Sequence, residues 1–266
     1  MSSFNLLEDK NLSTITKVSD ELWDKIYDLL PYEKPINTIG RPIIPYRKVL
    51  NGILYVLRTG CQLKMLPKEY GSDSTCHRRF QQWIKMDIFK KMWMKLLEEY
   101  DNKIGIKWIW QSADSISIKS PLGGAITGSS PVDRTNLGTK RHILTDKKGI
   151  PLSVVITQAS THDIKAVTDV IDKAIFIKPR ETILATIKTR RKHHQHRCLD
   201  RAYSSKPIEK EIIKRGYVPH IPYKRKRGQQ NKMVHQRMYQ TTRNKRWVVE
   251  RTNSWHNRFR KLFVRY

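Results

Sequence analysis

Cysteine is scarce in this sequence, and its placement excludes the sites that cysteine usually builds. The three cysteines, Cys61, Cys76 and Cys198, are odd in number, lie far apart and form no CxxC pair. A disulfide framework or a zinc ribbon would need paired or closely spaced cysteines. We therefore expect a protein of a reducing cytoplasm.

Long apolar stretches are missing as well. No run approaches the roughly 18 apolar residues that a membrane-spanning helix needs. Residues 1–17 are polar and lack the charged-then-apolar layout of a signal peptide. The sequence therefore predicts no membrane partner and a cytoplasmic location.

Acidic residues are few compared with basic ones. The 266 residues include 24 Asp and Glu against 52 Lys and Arg, which gives a formal net charge of +28. An excess of this size repels itself, and its usual partner is a polyanion, either nucleic acid or an anionic membrane surface. The alternative is a basic surface that serves solubility alone. Because the membrane is disfavoured, the composition favours nucleic acid.

The first hundred residues have the periodicity of short helices. Ser19 is a candidate N-cap, and apolar residues then recur at helical spacing. Further helices are predicted over about 46–57, after Asp73, and over about 87–100. The helix after Asp73 is basic and carries Arg78 and Arg79, which is typical of a helix-turn-helix DNA-binding domain. The alternative is an ordinary helical bundle whose polar face is solvated.

The composition changes after Lys107, where β-forming residues become frequent. Residues 108–118 predict a strand, and residues 142–157 predict a hairpin around the turn 146–149. Helices are predicted over 161–174, 204–215 and 245–264. A short apolar stretch covers 197–199, and a strand covers 217–222. Strands followed by interleaved helices indicate a mixed α/β domain.

One acidic residue stands alone near the end of the sequence. Residues 212–266 contain sixteen Lys and Arg but only one acid, Glu250. One interpretation is a helix-stabilising ion pair with Arg246, four residues earlier, which would contribute only a few tenths of a kcal/mol when exposed. The other is a metal ligand on a surface that otherwise binds phosphates.

Two further carboxylates lie where strands are predicted to end. Asp114 comes late in the strand that begins near Trp108, and Asp200 follows the apolar Cys198 and Leu199. Strand ends hold side chains rigidly, as metal-dependent phosphoryl transfer on DNA requires. Hard cations such as Mg²⁺ take the oxygen ligands that Asp and Glu provide. Spacing alone leaves other acids as competitors, namely Asp133, Asp146 and Asp163.

Several ordered motifs resemble those of one family. They are Lys119-Ser120-Pro121-Leu122-Gly123-Gly124, Pro131-Val132-Asp133-Arg134, Leu137-Gly138-Thr139-Lys140-Arg141-His142, Gly149-Ile150-Pro151-Leu152, His162-Asp163, Cys198-Leu199-Asp200-Arg201-Ala202-Tyr203 and Arg246-Trp247-Val248-Val249-Glu250-Arg251-Thr252. Residues 49–61 with Leu66-Pro67 extend the likeness to the helical region. The sequence is similar to bacterial insertion-sequence transposases of the DDE class over nearly its whole length.

The resemblance implies a fold, a site and a reaction. It implies a small helical DNA-binding domain over 1–104, helix-turn-helix-like in character, and a ribonuclease-H-like α/β catalytic domain over 105–266, a mixed sheet with flanking helices. Asp114, Asp200 and Glu250 would be the catalytic metal ligands for two Mg²⁺ or Mn²⁺ ions. The reaction would be nicking at the element's ends, followed by attack of the freed 3′-hydroxyl on target DNA.

Partners follow from the same resemblance. They would be double-stranded DNA, as terminal inverted repeats and target, and a second copy of the chain in a synaptic dimer or larger complex. The bound protein would be associated with the bacterial nucleoid. Candidate DNA contacts are Arg78, Arg79, Arg134, Lys140, Arg141, Arg243, Arg246, Arg258 and Lys261.

The sequence departs from the family's signature at two positions near Glu250. Arg243 stands where a Tyr is usual, and Asn257 stands where a Lys is usual. Arg258 and Lys261 are then expected to substitute for this Lys as phosphate contacts. All three carboxylates are present, so an active enzyme is expected. The alternative is a catalytically inactive remnant that still binds DNA.

Overall fold

A computed structural model describes residues 16–35, 42–133, 136–174, 195–222 and 233–265, and for residues 233–244 it describes the backbone alone. Two predicted DNA contacts, Arg134 and the side chain of Arg243, therefore lie outside the described part of the chain. The chain divides into two compact units. One comprises residues 1–99 with 258–262, and the other comprises residues 100–257 with 263–266. The domain boundary expected between residues 104 and 105 stays a prediction.

Short helices build the first unit, as the periodicity predicted. The Ser19 hydroxyl accepts a hydrogen bond from the Leu22 N–H and so caps the first helix. The second helix ends at Gly60, whose φ of 74° gives it the left-handed conformation that glycine adopts most easily. The helices are α1 (Asp20–Ile26), α2 (Tyr46–Thr59), α3 (Asp73–Lys85) and α4 (Ile88–Lys103).

An apolar core holds α1 to α3 together. Trp83 of α3 is fully buried and meets the ring of Tyr46 edge to face, with centroids 5.6 Å apart. Val49 and Cys76 are also completely buried in this cluster. Burying a side chain of this size stabilises the fold by roughly 1.5–3 kcal/mol. The helix-turn-helix interpretation of this unit stays a prediction.

The second unit is built on a six-stranded mixed sheet. Its described strands lie in the order β4–β3–β1–β5–β6. The two-residue β2 pairs with Leu137 and Gly138, at the start of β3. β3 is antiparallel to β1 and β4, whereas β1, β5 and β6 are parallel. The strands are β1 (Trp110–Lys119), β2 (Gly128–Ser129), β3 (Leu137–Asp146), β4 (Pro151–Gln158), β5 (Gln195–Cys198) and β6 (Tyr217–His220).

This strand order confirms the fold class expected from the resemblance. An antiparallel meander of three long strands, followed by two parallel strands added on the other side of β1, is the ribonuclease-H-like arrangement. The predicted hairpin is present but longer, because β3 begins at Leu137 and not at His142. The turn at residues 146–149 is also present, where the Gly149 N–H donates to the Asp146 carbonyl at 3.1 Å.

Helices cover the sheet. The α5 helix (Asp163–Asp172) lies against β3 and β4, α6 (Lys206–Lys214) lies against β6, and α7 (Met233–Asn257) crosses β1 and β3; the short α8 (Arg260–Phe263) follows. The Ser112 hydroxyl donates to the Lys245 carbonyl of α7 at 3.0 Å. Because side chains alternate along a strand, Asp114 shares this face of β1 with Ser112, and Ser115 lies on the opposite face.

Apolar side chains bury both faces of the sheet. Leu144, Leu152 and Leu199 are completely inaccessible to solvent, as are Ile143 and Val249. Among the described residues, none of the helices is both long and apolar enough to cross a membrane.

Candidate active site

Asp114 lies on β1, which pairs with β3 on one side and, over Trp110–Ser112, with β5 on the other. It pairs with Ile143 of β3, and the preceding Ala113 is almost fully buried. Burial is the main cause that raises the pKa of the Asp114 carboxyl to about 6; Arg246 opposes the rise, and the negative charges of Asp200 and Glu250 contribute to it. The charged groups of Arg246, Asp200 and Glu250 are therefore near enough to influence Asp114.

Asp200 follows β5 and begins a one-turn helix over Arg201–Tyr203. Its Oδ1 atom accepts a hydrogen bond from the Arg201 N–H at 2.6 Å, so the carboxylate caps that turn. Leu199 before it is fully buried and fixes the end of the strand. Because β1 and β5 are parallel neighbours, the strands bring Asp114 and Asp200 together from positions 86 residues apart.

Glu250 is placed by the packed face of α7. Val248 and Val249 are buried against the sheet, and Glu250 follows them on the exposed side of the helix. The Glu250 Oε1 atom accepts hydrogen bonds from Arg246 Nη2 at 2.7 Å and from Arg246 Nε at 3.2 Å. The ion pair that the sequence offered as one interpretation of Glu250 is therefore present.

Arg246 connects the carboxylates. Its Nη1 group donates to Asp200 Oδ1 while its other nitrogens donate to Glu250. Burial lowers the pKa of Arg246, but the hydrogen bonds that Arg246 donates to Glu250 and the charges of Asp200, Asp114 and Glu250 outweigh burial, so the net pKa is raised. The guanidinium thus joins the carboxylates of Asp200 and Glu250.

The competing acids have other partners. Asp133 pairs with Lys119 at 3.1 Å. Asp146 is fully buried and its Oδ1 atom accepts the backbone N–H groups of Lys148 and Ile150, each at 2.8 Å, so it holds the hairpin turn. Within the described part of the chain, neither carboxylate is a hydrogen-bond partner of Arg246, which binds Asp200 and Glu250.

Asp163, the third competitor, begins α5 on the opposite face of the sheet. Its Oδ1 atom lies 3.1 Å from the Lys140 Nζ atom and accepts a hydrogen bond from the Ser115 hydroxyl at 3.0 Å. Sequence reasoning did not single out Ser115. The sequence indicated a role for Ser115 only through its position directly after Asp114, which puts the two side chains on opposite faces of β1.

The basic residues predicted to contact DNA in the first unit differ in exposure. Arg78 and Arg258 are exposed, and Lys261 is half-buried. Arg79 is also half-buried, because its guanidinium stacks on the Tyr46 ring at 4.9 Å from the centroid. Arg78 and Arg258 are therefore the exposed members of this group, and Lys261 is partly accessible.

The two predicted contacts on β3 lie inside the second unit. Lys140 is engaged by Asp163, and Arg141 is only 5% exposed. The Arg141 Nη2 group approaches Asn257 Oδ1 at 3.4 Å, so it meets the residue that replaces the usual signature Lys. A DNA contact by either residue would require its side chain to leave this position, and that role stays a prediction.

The donor set fits a hard divalent cation. Three carboxylates supply only oxygen ligands, which Mg²⁺ and Mn²⁺ prefer, and a positive charge already stands among them in the form of Arg246. Among the described residues, no three acidic, His or Cys side chains are close enough to hold an ion together. The Arg246 guanidinium instead donates hydrogen bonds to both Asp200 and Glu250.

Fold and site together define a class. Asp114 lies on the first strand, Asp200 follows the parallel neighbour of that strand and Glu250 lies on the last long helix, which are the positions that the resemblance led us to expect. Comparison with protein families agrees: residues 113–266 match the model described as "Transposase DDE domain", and residues 18–93 match one described as a transposase of the IS4/5 family. The chain belongs to the DDE transposase family.

Individual relatives come from an insertion sequence. The chain is 31% identical over 144 residues to the transposase assigned to element IS402 of Burkholderia cepacia, and the match covers 53% of this chain and 59% of that protein. It is 35% identical over 118 residues to an uncharacterised 16.2 kDa protein of the same element, covering 43% of this chain and 80% of that protein.

A solved structure of lower similarity is the Mos1 mariner paired-end complex with Mn. It is 10% identical, with a TM-score of 0.27 and coverage of 92% of this chain and 85% of that chain. This similarity is too low to support a fold assignment, so the ribonuclease-H-like fold is assigned from the strand order.

Proposed function

We propose that this chain is a DNA transposase that cleaves DNA at the ends of an insertion sequence and transfers the resulting 3′-hydroxyl to target DNA. What supports the proposal is that Arg246 joins Asp200 and Glu250 by hydrogen bonds, and that the charges of these groups influence the pKa of Asp114, on a ribonuclease-H-like sheet. Membership of the DDE transposase family supports a nuclease and strand-transfer activity in general.

Divalent metal ions are the cofactor that this site would hold. DDE transposases generally use them, and Asp114, Asp200 and Glu250 would be the ligands for Mg²⁺ or Mn²⁺, with two ions proposed. When bound, the ions would activate the attacking oxygen and stabilise the leaving one. The raised pKa of Asp114 fits this role, because a carboxyl that is costly to ionise alone gains most from a nearby cation.

The protein's own groups would bind and orient the substrate. Asp114 and Asp200 sit on a strand and at a strand end, so the sheet fixes their positions before DNA arrives. Arg246 holds Asp200 and Glu250 in the metal-free protein. The Arg246 guanidinium would also be able to bind a phosphate of DNA, whose negative charge it complements.

Double-stranded DNA is the proposed partner. The net charge of +28 and the accessible Arg78, Arg258 and Lys261 supply groups that can neutralise phosphates. We further propose a dimer or larger assembly when two element ends are held together, and a cytoplasmic protein that is associated with the nucleoid when bound.

A cleavage assay with matched variants tests the proposal. The substrate is a DNA fragment that carries the chromosomal flanks of this gene, and it is incubated with Mg²⁺ or Mn²⁺. We expect the wild type to nick it, and Asp114→Asn, Asp200→Asn and Glu250→Gln to lose at least about a hundredfold in rate with unchanged DNA affinity. Asp169→Asn, an exposed acid on α5, is the control that should keep full activity.

The opposite outcome is equally definite. If the wild type cuts no faster than the three carboxylate variants while all four bind the fragment equally, the enzyme proposal fails. The protein would then be a DNA-binding remnant without catalysis.

A further inference from the structure

A buried polar cluster lies on the face of the sheet opposite Arg246, and the proposed reaction does not use it. We call it the Asp163 cluster; it consists of Asp163, Lys140, His142 and Ser115. The Asp163 carboxylate accepts from the Ser115 hydroxyl at 3.0 Å and pairs with Lys140 at 3.1 Å, and His142 Nδ1 lies 4.0 Å away. The side chains of Asp163, Lys140 and His142 are only 16%, 12% and 1% exposed.

A buried ion pair needs an explanation beyond stability. Removing two charges from water costs about as much as their attraction returns, so an apolar pair of equal volume would often stabilise the fold as well. Here the pair also ties elements together. Lys140 of β3 donates a second hydrogen bond to the Thr161 carbonyl at 2.9 Å, and this fixes the loop that leads into α5.

The first connection to the candidate active site runs along β1. Ser115 directly follows Asp114, so a hydrogen bond that immobilises Ser115 also immobilises the backbone from which the Asp114 side chain projects. His142 stands opposite Ser115 in the register, and its Nε2 atom shares a hydrogen bond with the Thr157 hydroxyl at 2.8 Å. The strand is therefore held on both sides at this point.

The second connection runs to Asp200 through Tyr203. Tyr203 ends the one-turn helix that Asp200 caps, is almost fully buried, and has a phenol that interacts with the Ser115 side chain. Burial raises the pKa of this phenol, and the charges of Asp163, Asp114 and Asp200 raise it further, so the phenol stays neutral. The Ser115 side chain therefore links Tyr203, which follows Asp200 in the same turn, to the strand that carries Asp114.

We propose that Asp163 is a positioning residue, which acts through Ser115 and Tyr203 to hold Asp114 and Asp200 at the separation that a shared divalent ion requires. This inference rests on the proposed function. Asp163 is not a ligand itself, because it approaches β1 from the face opposite the Asp114 side chain. Groups that orient metal ligands without touching the metal commonly change metal affinity by 10–100-fold when they are removed.

The test is Mn²⁺ binding to the full chain without DNA, measured by calorimetry or by the electron paramagnetic resonance signal of free Mn²⁺. For Asp163→Ala we expect an affinity at least about tenfold lower than that of the wild type. Asp163→Asn should recover part of the loss, because its amide oxygen still accepts from Ser115 although the charge that pairs with Lys140 is gone. Ser115→Ala should resemble Asp163→Ala.

Controls separate positioning from general destabilisation. Asp172→Ala removes an acid from the other end of α5 together with its ion pair to Arg215, and we expect it to bind Mn²⁺ like the wild type. Circular dichroism at the assay temperature establishes that each variant is folded. Metal-free DNA affinity should stay unchanged in Ser115→Ala and Asp172→Ala, since neither side chain is a proposed DNA contact.

Each outcome decides the matter. A folded Asp163→Ala that binds Mn²⁺ as tightly as the wild type overturns the inference and leaves the proposed function intact. If that variant does not fold, Asp163→Asn and Ser115→Ala are judged by the same criterion. A wild type that binds no Mn²⁺ overturns the proposed metal site, and the inference with it.

Discussion

Replacing Asp114 by Asn should stabilise the metal-free protein at neutral pH while it abolishes the proposed activity. Burial, together with the nearby Asp200 and Glu250, raises the pKa of Asp114 from 3.8 to about 6. The ionised carboxylate is thus unfavourable in the folded chain. Asn resembles the protonated form in shape and cannot ionise, so the variant should escape this cost.

The size and sign of the effect follow from the two pKa values. A carboxyl with a raised folded-state pKa stabilises the fold fully below pH 3.8, and this stabilisation is lost as the pH rises through about 6. A shift of about two units corresponds to about 3 kcal/mol in favour of Asp114→Asn at pH 7.5. At pH 5 the wild-type carboxyl is mostly protonated when folded, and the advantage should fall to roughly half.

Hydrogen exchange of β1 and β3 amides in a chelator-containing buffer measures this difference within the second unit. Asp172→Asn is the matched control with the opposite sign, because hydrogen bonds from Arg215 lower the pKa of Asp172 and its ionised form favours folding. The reasoning is refuted if Asp114→Asn is no more stable than the wild type at pH 7.5, or if its advantage does not shrink at pH 5.

Three other perturbations probe the same region. The Mn²⁺ affinity of the wild type should fall about tenfold from pH 7 to pH 5, because the pKa of Asp114 is about 6 and protonation competes with the ion; a change below twofold in calorimetry would contradict this. Arg246→Gln should bind Mn²⁺ more tightly than the wild type without DNA, because the guanidinium no longer occupies the carboxylates; weaker binding would show that the Arg246 side chain does not compete with the ion. Gly149→Ala should cost more in unfolding free energy than Gly216→Ala, by about 1 kcal/mol or more in urea denaturation. Both glycines have positive φ, but a Cβ at Gly149 would lie 2.9 Å from the Thr252 hydroxyl, whereas in the described part of the chain a Cβ at Gly216 would meet no atom within 4 Å beyond its chain neighbours; equal costs would dismiss the steric reason.

Helices and turns were predictable because their signals are local. The Ser19 cap, the stop at Gly60 and the hairpin turn at 146–149 depend on residues within a few positions of each other. The start of β3 was not predictable in this way. Gly138, Thr139 and Lys140 resemble a polar loop, and only their pairing with β1 and β4 makes them a strand.

The candidate site divides along the same line. Arg246 and Glu250 are four residues apart on one helix, so their ion pair was foreseeable from spacing. The burial of Arg141 and the pairing of Lys140 with Asp163 were not foreseeable, because both depend on which face of β3 meets which helix. In a sequence this basic, every Lys or Arg is a candidate DNA contact, and only the fold shows which of these side chains are buried.

The sequence by itself determined the charge of +28, the helical first part, the mixed α/β character of the rest and the isolation of Glu250 among basic residues. Tertiary structure alone decided which acids share Arg246 and which bind elsewhere. The physical reason is that parallel pairing of β1 and β5 brings Asp114 and Asp200 together across a long chain separation, while strand alternation sends Ser115 to the opposite face, where Asp163 lies. Neither relation is contained in the spacing of residues along the chain.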